Sequence, residues 1–82
     1  MEYRLEIKQD GEVKKIKVKD FLNHSLKKMD ITEAQREDAK EIIPKISEDE
    51  NGSYYIAKQL NEKGKVTYHD LLNAYNYFVL GD

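Results

Sequence analysis

The chain has 82 residues, 39% hydrophobic and 37% charged, with a formal net charge of −2. That length predicts a single domain over 1–82, with room for one core and little for an active-site cleft beside it. With no cysteine, disulfide frameworks, zinc knuckles and thiol nucleophiles are excluded, and a reducing, cytoplasmic setting is expected.

No apolar run approaches the roughly 20 residues that span a membrane. The opening MEYRLEIKQD alternates charge with hydrophobe and lacks a signal-peptide core. Lysine outnumbers arginine twelve to two, and Ile, Asn and Tyr are frequent. This resembles the coding bias of AT-rich genomes, such as those of low-GC bacteria and their phages, and would place a phage-encoded protein in the host cytoplasm. Charge is segregated along the chain: residues 1–28 carry +3, residues 29–52 carry −5 and residues 53–82 are neutral.

The first element is a β-hairpin over 2–19. Asp10-Gly11 suits a type I′ turn between two alternating segments. A two-residue turn there pairs Tyr3 with Val18, Leu5 with Ile16 and Ile7 with Lys14 on one side. The other side receives Glu2–Lys19, Arg4–Lys17, Glu6–Lys15 and Lys8–Val13. Turn chemistry and hydrophobic pattern therefore demand one register. Two of the outer pairs are opposite charges, each contributing about 0.2–1 kcal/mol. That pairing reads the lysines of the second strand as a solvated strand face rather than a phosphate-binding ribbon. Arginine, which grips phosphate bidentately, is nearly absent.

Helices follow. Asp20 is placed to cap a first helix over 20–29, with Phe21, Leu22, Ser25, Leu26 and Met29 on one stripe. Thr32 and Gln35 form a capping box for a second helix over 32–43, whose stripe is Ile31, Ala39, Ile42, Ile43 and Ile46. Pro44 is expected to end or kink it. For residues 47–53 two readings stand. Ser47 and Glu50 form another capping box, whereas Asn51-Gly52-Ser53 suits a loop. The third helix starts accordingly at 48 or 53 and runs to 63, where Gly64 is its C-cap. If the helix runs through, Gly52 and Ser53 share a face with Ile56 and Leu60 and permit close helix approach. Thr67 and Asp70 box the fourth helix, over 67–80, and Gly81 ends it.

The predicted fold is α+β: an N-terminal β-hairpin packed on one face by three to four short helices. The expected core draws Tyr3, Leu5, Ile7, Ile16 and Val18 from the hairpin and Phe21, Leu22, Leu26 and Met29 from the first helix. Ile42, Ile46, Ile56, Leu60, Leu71, Leu72, Tyr75 and Phe78 complete it.

No constellation for catalysis is evident, so the chain is not expected to be an enzyme, and neither a cofactor nor a small-molecule substrate is implied. His24 and His69 fall off their helices' apolar stripes, none of the three serines sits in a G-x-S-x-G elbow, and no H-E-x-x-H occurs. Residues 59–70, QLNEKGKVTYHD, resemble an EF-hand loop, with Asn61, Gly64, Val66 and Asp70 at matching positions. Gln59 replaces the first-position Asp, and the Lys63 ammonium stands where a calcium ligand belongs. The resemblance implies at most a degenerate EF-hand-like domain without calcium. The same corner suits a helix-turn-helix DNA-binding regulator, the runner-up reading, in which Asn73 and Asn76 read bases while Lys58, Lys63 and Lys65 touch phosphate. The outward face of the fourth helix carries no Lys or Arg, and the pI of about 5.7 has the wrong sign, so nucleic acid is an unfavoured partner.

The leading expectation is a protein-interaction module: an adaptor, regulator or inhibitor that contacts a larger protein or itself. At about 100° per residue, the outward face of the fourth helix carries His69, Asp70, Asn73, Asn76, Tyr77 and Leu80, and Tyr54 joins it from the third helix. Charge depletion with tyrosine enrichment is the composition of an interface core. Tyr77 or Leu80 packing inside the domain fits the same pattern. A second expected contact, for a basic partner surface, is acidic: Glu33, Glu37, Glu41, Glu48, Asp49 and Glu50.

Overall fold

The computed structural model describes residues 3–81. Its order is β1 (Arg4–Gln9), β2 (Glu12–Lys17), α1 (Val18–Lys28), α2 (Glu33–Ser47), α3 (Glu50–Lys63) and α4 (Tyr68–Ala74). A π-helical turn, Tyr75–Val79, continues α4. The fold is α+β, a two-stranded antiparallel hairpin followed by helices. Among the described residues, no helix is long and apolar enough to cross a membrane.

The hairpin has the expected register, with Arg4 opposite Lys17, Leu5 opposite Ile16, Glu6 opposite Lys15 and Lys8 opposite Val13. Asp10 and Gly11 both have positive φ, 54° and 81°, as a type I′ turn requires. The strands end earlier than the expected 2–19: the pairing stops at Arg4 and Lys17, and Val18 and Lys19 are helical, so Tyr3 and Val18 are not a strand pair. The expected Glu2–Lys19 pair involves Glu2, outside the described residues. Leu5 is buried, and Tyr3 and Ile16 pack half-buried against the core.

α1 starts earlier than Asp20. The Val18 amide donates to the Tyr3 carbonyl at 3.0 Å, so the hairpin itself supplies an acceptor at the helix start. Asp20 stands in the first turn, and the N-cap position is Lys17, whose side chain does not cap the first-turn amides. At the other end of α1, the Arg36 guanidinium of α2 donates to the carbonyls of Leu26 and Met29. One side chain thereby reaches two carbonyls at the helix terminus, that of Leu26, which also accepts from the Met29 amide at 3.2 Å, and that of Met29.

Of the two outcomes expected at Pro44, an end or a kink, the end is overturned: the helix continues to Ser47. Proline inside a helix costs about 3 kcal/mol, but the turn beyond it is anchored. Ile46 and Ser47 are buried, and the Ser53 hydroxyl donates to the Ile46 carbonyl at 3.1 Å. Residues 50–53 are helical, which resolves the two readings. The N-cap is Asp49, whose carboxylate accepts from the Gly52 amide at 2.6 Å. Ser47 instead closes α2, its hydroxyl donating to the Pro44 carbonyl at 2.9 Å. A Cβ at Gly52 would stand 3.4 Å from the Ile46 carbonyl oxygen and 3.3 Å from an Asp49 carboxylate oxygen. Glycine there lets α3 start hard against the end of α2.

The core consists of Leu5, Val18, Leu22, Leu26, Ala39, Ile42, Ile43, Ile46, Ile56, Val66, Leu71 and Ala74. Ala39, Ile43, Val66 and Ala74 were not among the expected core residues. Phe78 was, yet it is 38% exposed. The cause is the π turn: the Leu80 amide bonds the Tyr75 carbonyl five residues back, at 2.9 Å. A turn of that pitch rotates every later side chain by roughly one residue relative to an α-helix. Val79 packs against the core, and Phe78 moves to the flank.

Candidate functional site

The last helix is fixed at its start by a compact polar cluster. Thr67 caps α4, its hydroxyl accepting from the Asp70 amide while the Asp70 carboxylate accepts from the Thr67 amide at 2.9 Å. The Lys63 ammonium, from the last residue of α3 before its Gly64 C-cap, reaches the same carboxylate at 2.6 and 2.7 Å. Asp70 is only 3% exposed, which corrects its assignment to the outward face. Burial works to raise its pKa. The Lys63 ammonium and the Thr67 amide and hydroxyl outweigh that and hold the carboxyl below its ordinary value.

This cluster bears on two of the chemistries considered for the corner. The Asp70 carboxylate, the one acidic match at the end of the EF-hand-like segment, accepts from Thr67 and Lys63. Among the described residues no group of three or more His, Asp or Glu side chains is arranged to hold a metal ion. The Lys63 ammonium, considered for a DNA phosphate, is in an ion pair inside the protein.

Toward its end the helix changes character. Asn73, assigned to the outward face, is half-buried, and its amide donates to the Tyr55 hydroxyl at 3.3 Å. The Tyr55 ring in turn meets Phe78, with ring centroids 5.5 Å apart and planes tilted by 42°. On the other side, the Lys45 ammonium lies 5.7 Å from the centre of the Tyr75 ring. The π turn is thus held by α3 through Tyr55 and by α2 through Lys45. Tyr55 was not singled out from the sequence. Its position was legible: one residue before buried Ile56, it stands about 100° around the helix, on the flank of the core stripe.

Beyond these anchors the surface is apolar. Tyr77 is 61% exposed and Leu80 55% exposed, and His69 and Asn76 are exposed as well. Residues 71–81 contain no Asp, Glu, Lys or Arg. Tyr54 is 72% exposed on α3, but the contact that joins α3 to the π turn runs through its neighbour Tyr55.

The acidic residues divide into two groups. Glu33, Glu37 and Glu41 are exposed along α2. Glu33 and Glu37 stand 3.8 and 3.3 Å from Arg36 and Lys40 on the same helix. Glu48 and Glu50 are exposed at the α2–α3 corner, where Asp49 serves as the half-buried N-cap of α3. Comparison of the chain with protein-family models, with curated proteins and with solved structures returned no match in any of the three.

Proposed function

We propose that the chain is a small non-enzymatic interaction module of the cytoplasm, an adaptor, regulator or inhibitor. It binds a larger protein or a second copy of itself through the outer side of its last helix. The observation that carries this reading is the eleven-residue charge-free stretch 71–81 in a chain that is 37% charged. From it Tyr77, Phe78 and Leu80 stay exposed. Large apolar and aromatic side chains without charge are what a desolvated interface centre contains, and a polar rim surrounds it. Tyr77 and Leu80 form the centre, His69, Asn73 and Asn76 the rim, and Tyr54 extends the surface onto α3. The exposed carboxylates Glu33, Glu37, Glu41, Glu48 and Glu50, with Asp49 between the last two, give a basic partner a second contact.

The test is Tyr77→Ala. Self-association is followed by sedimentation equilibrium, and partner binding by capture from source cells with wild-type and variant baits. Association that the variant loses, with Tm unchanged to within about 3 °C, supports the reading. A fall in Tm of the size of a core variant, or association identical to wild type, removes Tyr77 from the interface.

A further inference from the structure

A second surface lies at the opposite end of α4 from the π turn and shares His69 with the first. Between the C-terminal end of α1 and the α3–α4 turn runs an open groove of about 660 Å³. Its floor takes Phe21, Met29, Ile31, Leu60 and Tyr68, all large and all half-buried against the core. Its rim takes His24 and Lys28 from the α1 side and Lys65 and His69 from the α4 side, all exposed. Both histidines of the chain line this one groove, and Asp30 is the sole acidic residue there. In a chain with 16 acidic and 14 basic residues, the local balance is inverted.

We propose that this groove docks an acidic peptide segment of a partner protein. One or two large apolar side chains of the segment lie on the floor, and its carboxylates face His24, Lys28, Lys65 and His69. The charge of the rim selects the sign of the occupant, and the floor selects its class. A nucleic-acid backbone would satisfy the lysines but leave the five apolar side chains uncovered. A peptide with an apolar anchor between carboxylates satisfies both, as in other modes that lay side-chain anchors into a groove. Neither Lys28 nor Lys65 is the ammonium tied to Asp70, so both cations stand at the rim without a role in the α4 cap.

The experiment selects binders to the full-length chain from a random displayed peptide library. Enriched peptides are then titrated into the labelled protein while backbone amide shifts are followed. Enriched peptides are expected to carry net negative charge around at least one Phe, Leu or Trp, to shift the residues lining the groove and to bind more weakly as salt rises. The exposed-site double variant Lys28→Glu/Lys65→Glu, checked for an unchanged melting curve, is expected to lose at least about tenfold in affinity. Replacing the peptide's apolar residue with alanine is expected to cost a comparable factor, without touching the protein. Neutral, basic or no enriched peptides, shifts confined to Tyr77 and its neighbours, or full binding by the double variant would each overturn the proposal. So would duplex DNA affinity that the double variant loses, or a sedimentation change in that variant showing that the groove holds a second copy.

Discussion

The two halves of the last helix differ in nearly every respect. From Tyr68 to Ala74 the backbone is α-helical, opened by a capping box and buried at Asp70, Leu71 and Ala74. From Tyr75 to Val79 it is π-helical and contains no buried residue. The first half is held by a charge cluster and fully buried core residues, the second by two aromatic contacts and the half-buried Tyr75 and Val79. One helix can therefore be foundation and display surface at once, with the division set where the backbone geometry changes. Substitutions in the two halves should consequently separate stability from binding.

The largest effect belongs to Leu71, which is fully buried in the first half. Leu71→Ala is expected to cost about 2–5 kcal/mol, measured by urea denaturation. Asp70→Asn should cost about 1–2 kcal/mol at neutral pH, mostly because a neutral amide oxygen accepts more weakly from the Thr67 amide and hydroxyl than the carboxylate does. Lys63 is 40% exposed on its side chain, and solvent screens its share. Because the folded-state pKa of Asp70 is lowered, its contribution is complete above the ordinary carboxyl value and fades as pH falls through the folded one. Stability curves of wild type and Asp70→Asn should therefore converge in acid. A constant gap would show that the carboxylate charge is irrelevant to the cap.

Gly64→Ala comes next, at about 1 kcal/mol. A Cβ there meets nothing within 4 Å, but the backbone sits at φ 76°, so the cost is conformational strain alone. Chemical denaturation of this variant sharpens the comparison, because a loss well above that size would mean that the turn controls the seating of α4 as a whole. The smallest change in stability, within about 0.5 kcal/mol, is expected for Tyr77→Ala in the second half. A stability loss there like that of Leu71→Ala would erase the distinction between the halves.

Local chemistry was legible in the sequence, and long-range compensation was not. The Asp10-Gly11 turn, the Thr32–Gln35 and Thr67–Asp70 boxes and the Gly64 C-cap each involve residues within four positions of one another. Pro44 misled because its penalty is local, while the burial of Ile46 and the Ser53 bond that outweigh it come from tertiary contacts. Asp70 looked outward by helical angle, yet the cation that makes its burial tolerable sits on α3. Of the candidate surface, Tyr77, Asn76, His69 and Leu80 are exposed as their spacing predicts. Phe78 and Asn73 differ because a π turn has no signature in hydrophobic periodicity and because Tyr55 offers both a ring and a hydroxyl. Ala39 lies on the expected stripe of α2, yet both it and Ala74 fall outside the expected core because that core is drawn from large side chains, whereas close helix packing buries small ones.

The Arg36 contact has a consequence for the groove. The α1 wall that carries His24 and Lys28 is tied to α2 through the carbonyls of Leu26 and Met29. The opposite wall, with Lys65 and His69, is tied through Lys63 to Asp70. Each wall thus carries an intramolecular bond from a cation, half-buried Arg36 or partly exposed Lys63, that takes no part in the rim. If the proposed segment docks there, these bonds favour a cleft whose backbone shape is already formed in the free chain. Ordering a mobile interface costs about 0.5–1.5 kcal/mol per immobilised side chain. On that proposal the entropy loss is expected to fall on the rim side chains and the incoming segment more than on the walls.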